Sequence, residues 1–464
     1  MQTMSTTPPP STRSQPGCLG ILALALALSL TGCSTWSPRP QDASTQQASP
    51  VTPNPLAQWW QQFNDPLLGT LVTQALQANT SIRAAQAALQ QSRALRDVSA
   101  AGLLPKLSAS GSAQRSRLGD LDASNSFQAG LDASWEPDIF GGKRSALNAA
   151  EADAQALQAT LTDVQVSVAA EVALAYVQLR GQQAQLAIAR SNLASQQETL
   201  QITDWRAQAG LITSLEVEQA RTAAEQTSAQ VPLLQAGIAK TSHSLAVLTG
   251  QRPETLLTQL QTAQAIPQPP SNLALDIPAQ TLRQRPDVRA AELRITAALA
   301  RVAVADAALY PGFAISGSLG LNALTLAALG NSAGLVSSLI GSLSIPLFDG
   351  GAKRAQVLAQ EAALEQARAN YQAVVLIALQ DVANALVALS GDRTRLTHLQ
   401  SAASAAGNAA LLAQQRYSSG LIDFQTVLQT QRTLLTAQDS VASSTADISA
   451  DHVRLYKALG GGWN

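Results

Sequence analysis

Apolar side chains at Leu71, Ala75, Ala78, Ile82, Ala85 and Leu89 fall on one helical stripe, and residues 67–101 contain no proline. The spacing predicts a helix there and a matching one over 280–309, where Pro286 stands early enough for a helix to start on it. The period then changes. Leu107, Ala109, Gly111 and Ala113 alternate with Ser108, Ser110, Ser112 and Gln114. Phe127, Ala129, Leu131, Ala133 and Trp135 alternate with Gln128, Gly130, Asp132 and Ser134. Phe313, Ile315, Gly317, Leu319 and Leu321 alternate with Ala314, Ser316, Ser318 and Gly320. Leu339, Gly341, Leu343, Ile345 and Leu347 alternate with Ile340, Ser342, Ser344 and Pro346. A period of two predicts four strands of about ten residues, each with an apolar face and a serine-rich one. That is the length of a transmembrane β-strand.

A long helix should follow each strand pair. Between Lys143 and Ala209 there is no proline and one glycine, Gly181; over 352–419 there is again no proline, with Gly391 and Gly407. At 1.5 Å per residue each helix spans on the order of 100 Å. Leu157, Leu161, Val164, Val168, Val172, Ala175 and Leu179 step by three and four, a spacing near 3.67 that keeps one stripe facing a partner with little supercoil. Gly210 and Gly420 should end these helices. Shorter helices are expected to return over 211–248 and 421–459.

These elements occur twice. Ser81-Ile82-Arg83-Ala84-Ala85-Gln86 matches Asp287-Val288-Arg289-Ala290-Ala291-Glu292, 206 positions later. Arg206 to Ile212 matches Arg416 to Ile422, 210 positions later. So long a period is a duplicated half-protein and not a solenoid repeat. Four strands cannot close a barrel, and an open sheet edge cannot sit in lipid. If the strands are membranous the chain must oligomerise, and three copies would supply twelve. The soluble alternative is a small β-sandwich.

The N-terminus adds a compartment. Leu19 to Leu30 is apolar apart from Ser29, too short to span a bilayer and the right length for a signal-peptide core. It ends in Leu30-Thr31-Gly32-Cys33, which resembles a bacterial lipobox, whose cysteine becomes the diacylated mature N-terminus. Ser34 after it favours the outer membrane, by the same resemblance. Cys18 would leave with the signal and Cys33 would carry lipid, so the mature chain has no free thiol. No other segment reads as a membrane helix, because the run Leu319–Leu329 is broken by Gly320 and Asn322. Net charge is −1, which gives no electrostatic footprint for nucleic acid. The expected organisation is a signal peptide (1–32), an acylated tether (33–55), a first repeat (56–260), a linker (261–275), a second repeat (276–460) and a tail (461–464).

Several short stretches then resemble one family. They are Trp59-Trp60…Phe63…Asp65-Pro66-Leu67, Trp135-Glu136-Pro137-Asp138-Ile139-Phe140-Gly141, Arg285-Pro286-Asp287-Val288-Arg289-Ala290-Ala291-Glu292, Pro346-Leu347-Phe348-Asp349-Gly350-Gly351 and Arg416-Tyr417…Gly420…Val427-Leu428…Gln431-Arg432. In this order they resemble the TolC-like outer membrane efflux factors, in the lipoprotein branch of the OprM and NodT type. The resemblance implies an α+β membrane protein. Its homotrimer would close a 12-stranded β-barrel, continuous with a long α-helical barrel across the periplasm. It would be the exit duct of a tripartite pump for drugs or other small molecules, docked to a periplasmic adaptor and an inner-membrane RND-type transporter. The alternatives are the exit duct of a type I secretion system, and a periplasmic adaptor or structural helical lipoprotein. The repeat and the two serine-alternating strand pairs speak against an adaptor, the lipobox speaks against the secretion duct, and heat-modifiable migration with pore formation would exclude a structural lipoprotein.

No enzymatic constellation is present: His243, His398 and His452 stand apart, without partners at metal spacing, and no cofactor is expected beyond the acyl chains on Cys33. The resemblance places the turns at Gly210 and Gly420 at the adaptor-docking tip. It makes Glu216, Tyr417 and Arg432 candidates for a periplasmic gate, as a carboxylate–guanidinium latch beside a phenol. Thr426 and Gln429 stand where relatives carry an acidic ring, so Asp423 is the candidate for a displaced one. The plain alternatives are solvated helix charges at Glu216 and Arg432, helix packing at Tyr417 and a cap at Asp423. Trp59, Trp60 and Trp135 read as packing or interfacial-belt residues. Gly181 and Gly391 read as sites of close packing or bending.

Overall fold

A computed structural model describes residues 58–117, 119–120, 122–269, 284–330 and 334–461. The expected signal peptide, Cys33 and the whole tether lie outside the described residues, as do parts of the linker and tail.

A 3₁₀ turn at Trp59–Phe63 leads into helix α1 (Pro66–Ala78). Asp65 caps α1, accepting from the Leu67 N–H at 2.9 Å and the Leu68 N–H at 3.1 Å. The single helix expected over 67–101 is two: α2 (Thr80–Ala101) starts separately. Asn79 divides them, because its backbone is extended (φ −61°, ψ 134°) and its side chain accepts from the N–H groups of Ser81 and Ile82. Strands β1 (Lys106–Ser116) and β2 (Ser124–Trp135) follow, then the 67-residue helix α3 (Gly142–Gln208) and the returning helix α4 (Ser214–Leu248). After a four-residue helix α5 (Leu257–Leu260) the order repeats: α6 (Pro286–Ala307), β3 (Gly312–Ala323), β4 (Leu335–Ser344), α7 (Ala352–Ser418, also 67 residues) and α8 (Phe424–Ala458).

The four strands form one antiparallel sheet in chain order, so β1 and β4 are both open edges. Register preserves the alternation. Leu107, Ala109, Gly111 and Ala113 lie opposite Ala133, Leu131, Ala129 and Phe127, and these in turn oppose Gly317, Leu319, Leu321 and Ala323. Ser108 and Ser318 flank Asp132, and Ser318 opposes Ser338. One face is therefore apolar and the other hydroxyl-rich. β4 begins and ends earlier than its alternation predicted. Ile345, Pro346 and Leu347 fall outside it, since proline has no N–H to give a ladder.

The strands connect directly to the long helices through aspartate caps. Asp138 accepts from the Lys143 and Arg144 N–H groups, both at 2.9 Å, and Asp349 accepts from those of Gly351 and Lys353 at 2.9 and 3.0 Å. Each carboxylate meets the unpaired N–H groups and positive dipole end of a helix start. At the far end both long helices stop in the same way. The Leu211 N–H donates to the Arg206 carbonyl and that of Gly210 to Ala207, just as Leu421 donates to Arg416 and Gly420 to Tyr417. Gly210 and Gly420 sit at φ +71° and +72°, a left-handed conformation that glycine adopts without steric cost.

The main core sits where the two repeats meet, well away from the sheet. Trp59 is fully buried and stacks on Tyr456 of α8 with ring centroids 5.3 Å apart. Around them lie Leu68, Leu71 and Ala75 of α1, Val172, Tyr176 and Leu179 of α3, and Leu245 of α4. The fully buried Arg180 donates to the Tyr176 hydroxyl, the Gln183 amide and the Thr262 carbonyl, and Tyr176 donates to Asp65 at 2.8 Å. Trp59 and Trp60 are thus packing residues. Trp135, half exposed at the helix end of β2, donates its indole N–H to the Leu103 carbonyl at 3.0 Å.

Both α3 and α7 carry a stretch long and apolar enough to cross a membrane by length and composition. Alanine, valine and leucine accumulate there because closely packed helices need small apolar faces on more than one side. In α3 half of that stretch is buried within the chain, whereas in α7 most of it is exposed.

Candidate functional site

The sheet supplies the first functional surface. Its serine-rich face is tied across strands: the Ser110 hydroxyl donates to Asp132 Oδ2 at 2.9 Å, and the Ser318 and Ser338 hydroxyls lie 2.7 Å apart. The opposite face exposes Leu107, Leu131, Leu319, Leu339 and Leu343. Such a sheet has a lipid-compatible side and a wet side, the division a transmembrane strand requires. At the helix end of the strands Trp135, Phe140 and Tyr310 gather, with Phe140 stacked on Tyr310 at 4.8 Å.

The second surface is the paired hairpin tip. Ala220 and Ala223 of α4, Ala413 of α7, and Phe424, Val427 and Leu428 of α8 bury together, with Leu200 of α3 and Tyr417 packed on them. Tyr417 is the hinge of this cluster. Its ring lies 5.3 Å from that of Phe424, and the Arg206 guanidinium sits over its other face at 4.8 Å. Its hydroxyl donates to Glu216 Oε2 at 3.2 Å. One tyrosine of the second repeat thereby binds a cation and a carboxylate of the first. Burial pushes the Tyr417 phenol above its ordinary pKa, and the Glu216 charge adds to that while Arg206 opposes it. Deeper in, the buried Gln431 amide donates to Thr199 Oγ1 at 3.1 Å, a further link between α8 and α3.

Of the gate candidates, the structure brings together Glu216 and Tyr417. Arg432 does not pair with Glu216 within the chain, and among the described residues its guanidinium has no hydrogen bond or ion pair. The reason is axial offset. Glu216 lies in the first turn of α4 and Arg432 lies eight residues into α8, about six residues farther from the tip, or roughly 9 Å. Asp423 is the N-cap of α8, accepting from the Thr426 N–H at 2.8 Å and the Thr426 hydroxyl at 2.7 Å. Those two hydrogen bonds hold it below the ordinary carboxylate range.

Arg206 was not among the residues singled out for the gate. Its signal was present: it is the repeat equivalent of Arg416, and only its stacking on a tyrosine that the first repeat lacks gives it a role. Asn79 and Arg285 are a second such pair. Asn79 donates to the Leu248 carbonyl at 2.8 Å, and Arg285 donates to the Ala458 carbonyl at 2.8 Å. Each thus satisfies the end of its own repeat's returning helix. Arg285 also pairs with Asp287 at 2.8 Å and Asp381 at 3.2 Å. Gly181 packs tightly, since a Cβ there would lie 3.1 Å from the Ala446 Cβ, whereas Gly391 faces open space. His452 is buried with Nε2 at 3.2 Å from Arg393, and burial together with that cation pushes its pKa down to about 4.

Comparison with known proteins agrees with this geometry. A family model described as outer membrane efflux protein matches residues 71–251 and 277–461, one match per repeat. The chain is 35% identical to the pyoverdine export outer membrane protein OpmQ of Pseudomonas putida, over 95% of this chain and 97% of that one. It is 30% identical to nodulation protein T of Rhizobium leguminosarum bv. viciae, over 87% and 84% of the two chains. Among solved structures, the outer-membrane channel OprN superposes with a TM-score of 0.83 at 38% identity, covering 88% of this chain and 93% of that one.

Proposed function

The chain belongs to the outer membrane efflux protein family, and from that premise we propose that three copies assemble into one continuous exit duct. The protein is an outer membrane channel component for efflux and extends into the periplasm. It acts as a passive conduit for drugs or other small molecules. The observation that carries the trimer is the sheet: four antiparallel strands with two open edges, joined without a break to helices of 67 residues. In lipid each unpaired edge group costs several kcal/mol. Because the strand number is even, β4 of one copy runs antiparallel to β1 of the next, and three copies close twelve strands. The α7 surface supports the same reading. Leu376, Leu379 and Val387 lie within one stripe and are exposed in the single chain, so a neighbouring copy would cover them.

The duct is anchored through diacylated Cys33; two acyl chains hold a protein stably where one is marginal. Its tips, with the turns at Gly210 and Gly420, meet a periplasmic adaptor fed by an inner-membrane RND-type transporter. Glu216, Tyr417 and Arg206 hold the two hairpins of one chain together there. Arg432 and Asp423 remain for contacts between copies. Each such link contributes about 1 kcal/mol or less. Three symmetric sets can keep the tip closed while leaving it within reach of adaptor binding.

The test is native mass spectrometry of the purified lipoprotein together with planar-bilayer conductance. A trimer that conducts is expected. A monomer that inserts no channel would overturn the assembly.

A further inference from the structure

We propose that Asp132 forms a ring of fixed negative charge inside the β-barrel and makes the upper duct select for cationic solutes. The proposal rests on the closure of three copies into a barrel. Among the residues of the four strands only Lys106, Arg115 and Asp132 are charged. Lys106 is the first residue of β1 and Arg115 the last but one, so both sit at a rim. Asp132 is the sole acidic residue of the sheet and the sole charge within its span. It lies three residues from the end of β2, about 10 Å above the helix end of the barrel.

Its face is settled by register. Asp132 stands opposite Ser108 on one side and Ser318 on the other, in the hydroxyl-rich row. The Ser110 hydroxyl donates to Oδ2 at 2.9 Å, which suits an ionised carboxylate. A charge on the lipid face would be costly, while one on the lumen face tunes selectivity. Among the described residues Asp132 forms no ion pair, and within the strands only Lys106 opposes it from the same face. The nearest cation in its row, Lys106, is two residues away along β1, roughly 7 Å from the Ser108 position.

Magnitudes favour an effect across the whole lumen at low salt. A twelve-stranded barrel with strands about 4.8 Å apart and tilted by about 40° has a backbone radius of roughly 12 Å. Side chains reduce the distance from carboxylate to axis to less than the Debye length of about 10 Å at 0.1 M salt. At 1 M that length falls to about 3 Å, and the ring becomes invisible from the axis.

The experiment measures reversal potential in planar bilayers under a KCl gradient of about 0.1 M against 0.01 M, where screening is weak. The full-length trimer is used, with Tyr417→Phe as the background if the resting current is too small to resolve. Wild type should prefer potassium over chloride. Asp132→Asn should lose most of that preference, Asp132→Glu should keep it and Asp132→Lys should reverse it. Raising both baths about tenfold should shrink the difference between wild type and Asp132→Asn. A conducting Asp132→Asn channel with the wild-type reversal potential would overturn the ring and leave barrel closure intact. Absence of any conducting trimer in wild type and background alike would instead overturn closure, and the ring with it.

Discussion

At Tyr417 three weak interactions converge on one side chain. The ring stacks under Arg206, packs on Phe424 and points its hydroxyl at Glu216. Replacing it with phenylalanine keeps the packing and removes only the part-buried hydrogen bond, which contributes about 1 kcal/mol per copy. Tyr417→Phe should therefore raise resting conductance with little change in thermal stability. Glu216→Gln should act in the same direction, because it retains an acceptor but loses the charge. An unchanged resting current in both variants would remove this contact from the gate. The sequence alone pointed to Tyr417 and Glu216 through family resemblance, and their contact is present. It also pointed to Arg432 beside Glu216, and these two do not pair within the chain. Arg206 was invisible as a partner of Tyr417 because stacking on an aromatic ring has no signature in spacing.

Among the elements, the two long helices are the same length and are started and stopped by the same devices. Asp138 and Asp349 cap their starts, and Gly210 and Gly420 turn their ends. They differ in surroundings. Gly181 of α3 sits 3.1 Å, counted from an added Cβ, from Ala446 of α8, so Gly181→Val should lower the melting temperature through overpacking of about 1–3 kcal/mol. Gly391 of α7 has open space within the chain, so Gly391→Ala should raise it through better helix propensity, by up to about 1 kcal/mol. Thermal melts followed by circular dichroism distinguish the two. A destabilised Gly391→Ala would mean that a neighbouring copy packs against that position. Helix lengths and strand faces were legible in the pattern of apolar residues, since period alone specifies them. The break at Asn79 and the early end of β4 were less so, because they depend on one backbone conformation and one missing N–H.

For the molecule as a whole, the single chain is incomplete: two sheet edges are unpaired and the apolar stretch of α7 is mostly exposed. Placing lysine at both Leu376 and Val387 should abolish the trimer in native mass spectrometry while far-ultraviolet circular dichroism still reports full helicity. A trimer of wild-type stability would show that this stripe faces the lumen or solvent. The sequence by itself determined the duplication, the strand alternation, the long helices and their glycine turns. Each of these follows from local periodicity or from the conformational freedom of one residue. Only the tertiary structure decided which members of the two repeats touch. Trp59 stacks on Tyr456, Arg206 covers Tyr417 and Gln431 reaches Thr199 across separations of 397, 211 and 232 residues. Such contacts arise from how two halves of similar element order dock on each other, and a repeat read from sequence says that the halves are alike without saying where they diverge in partner.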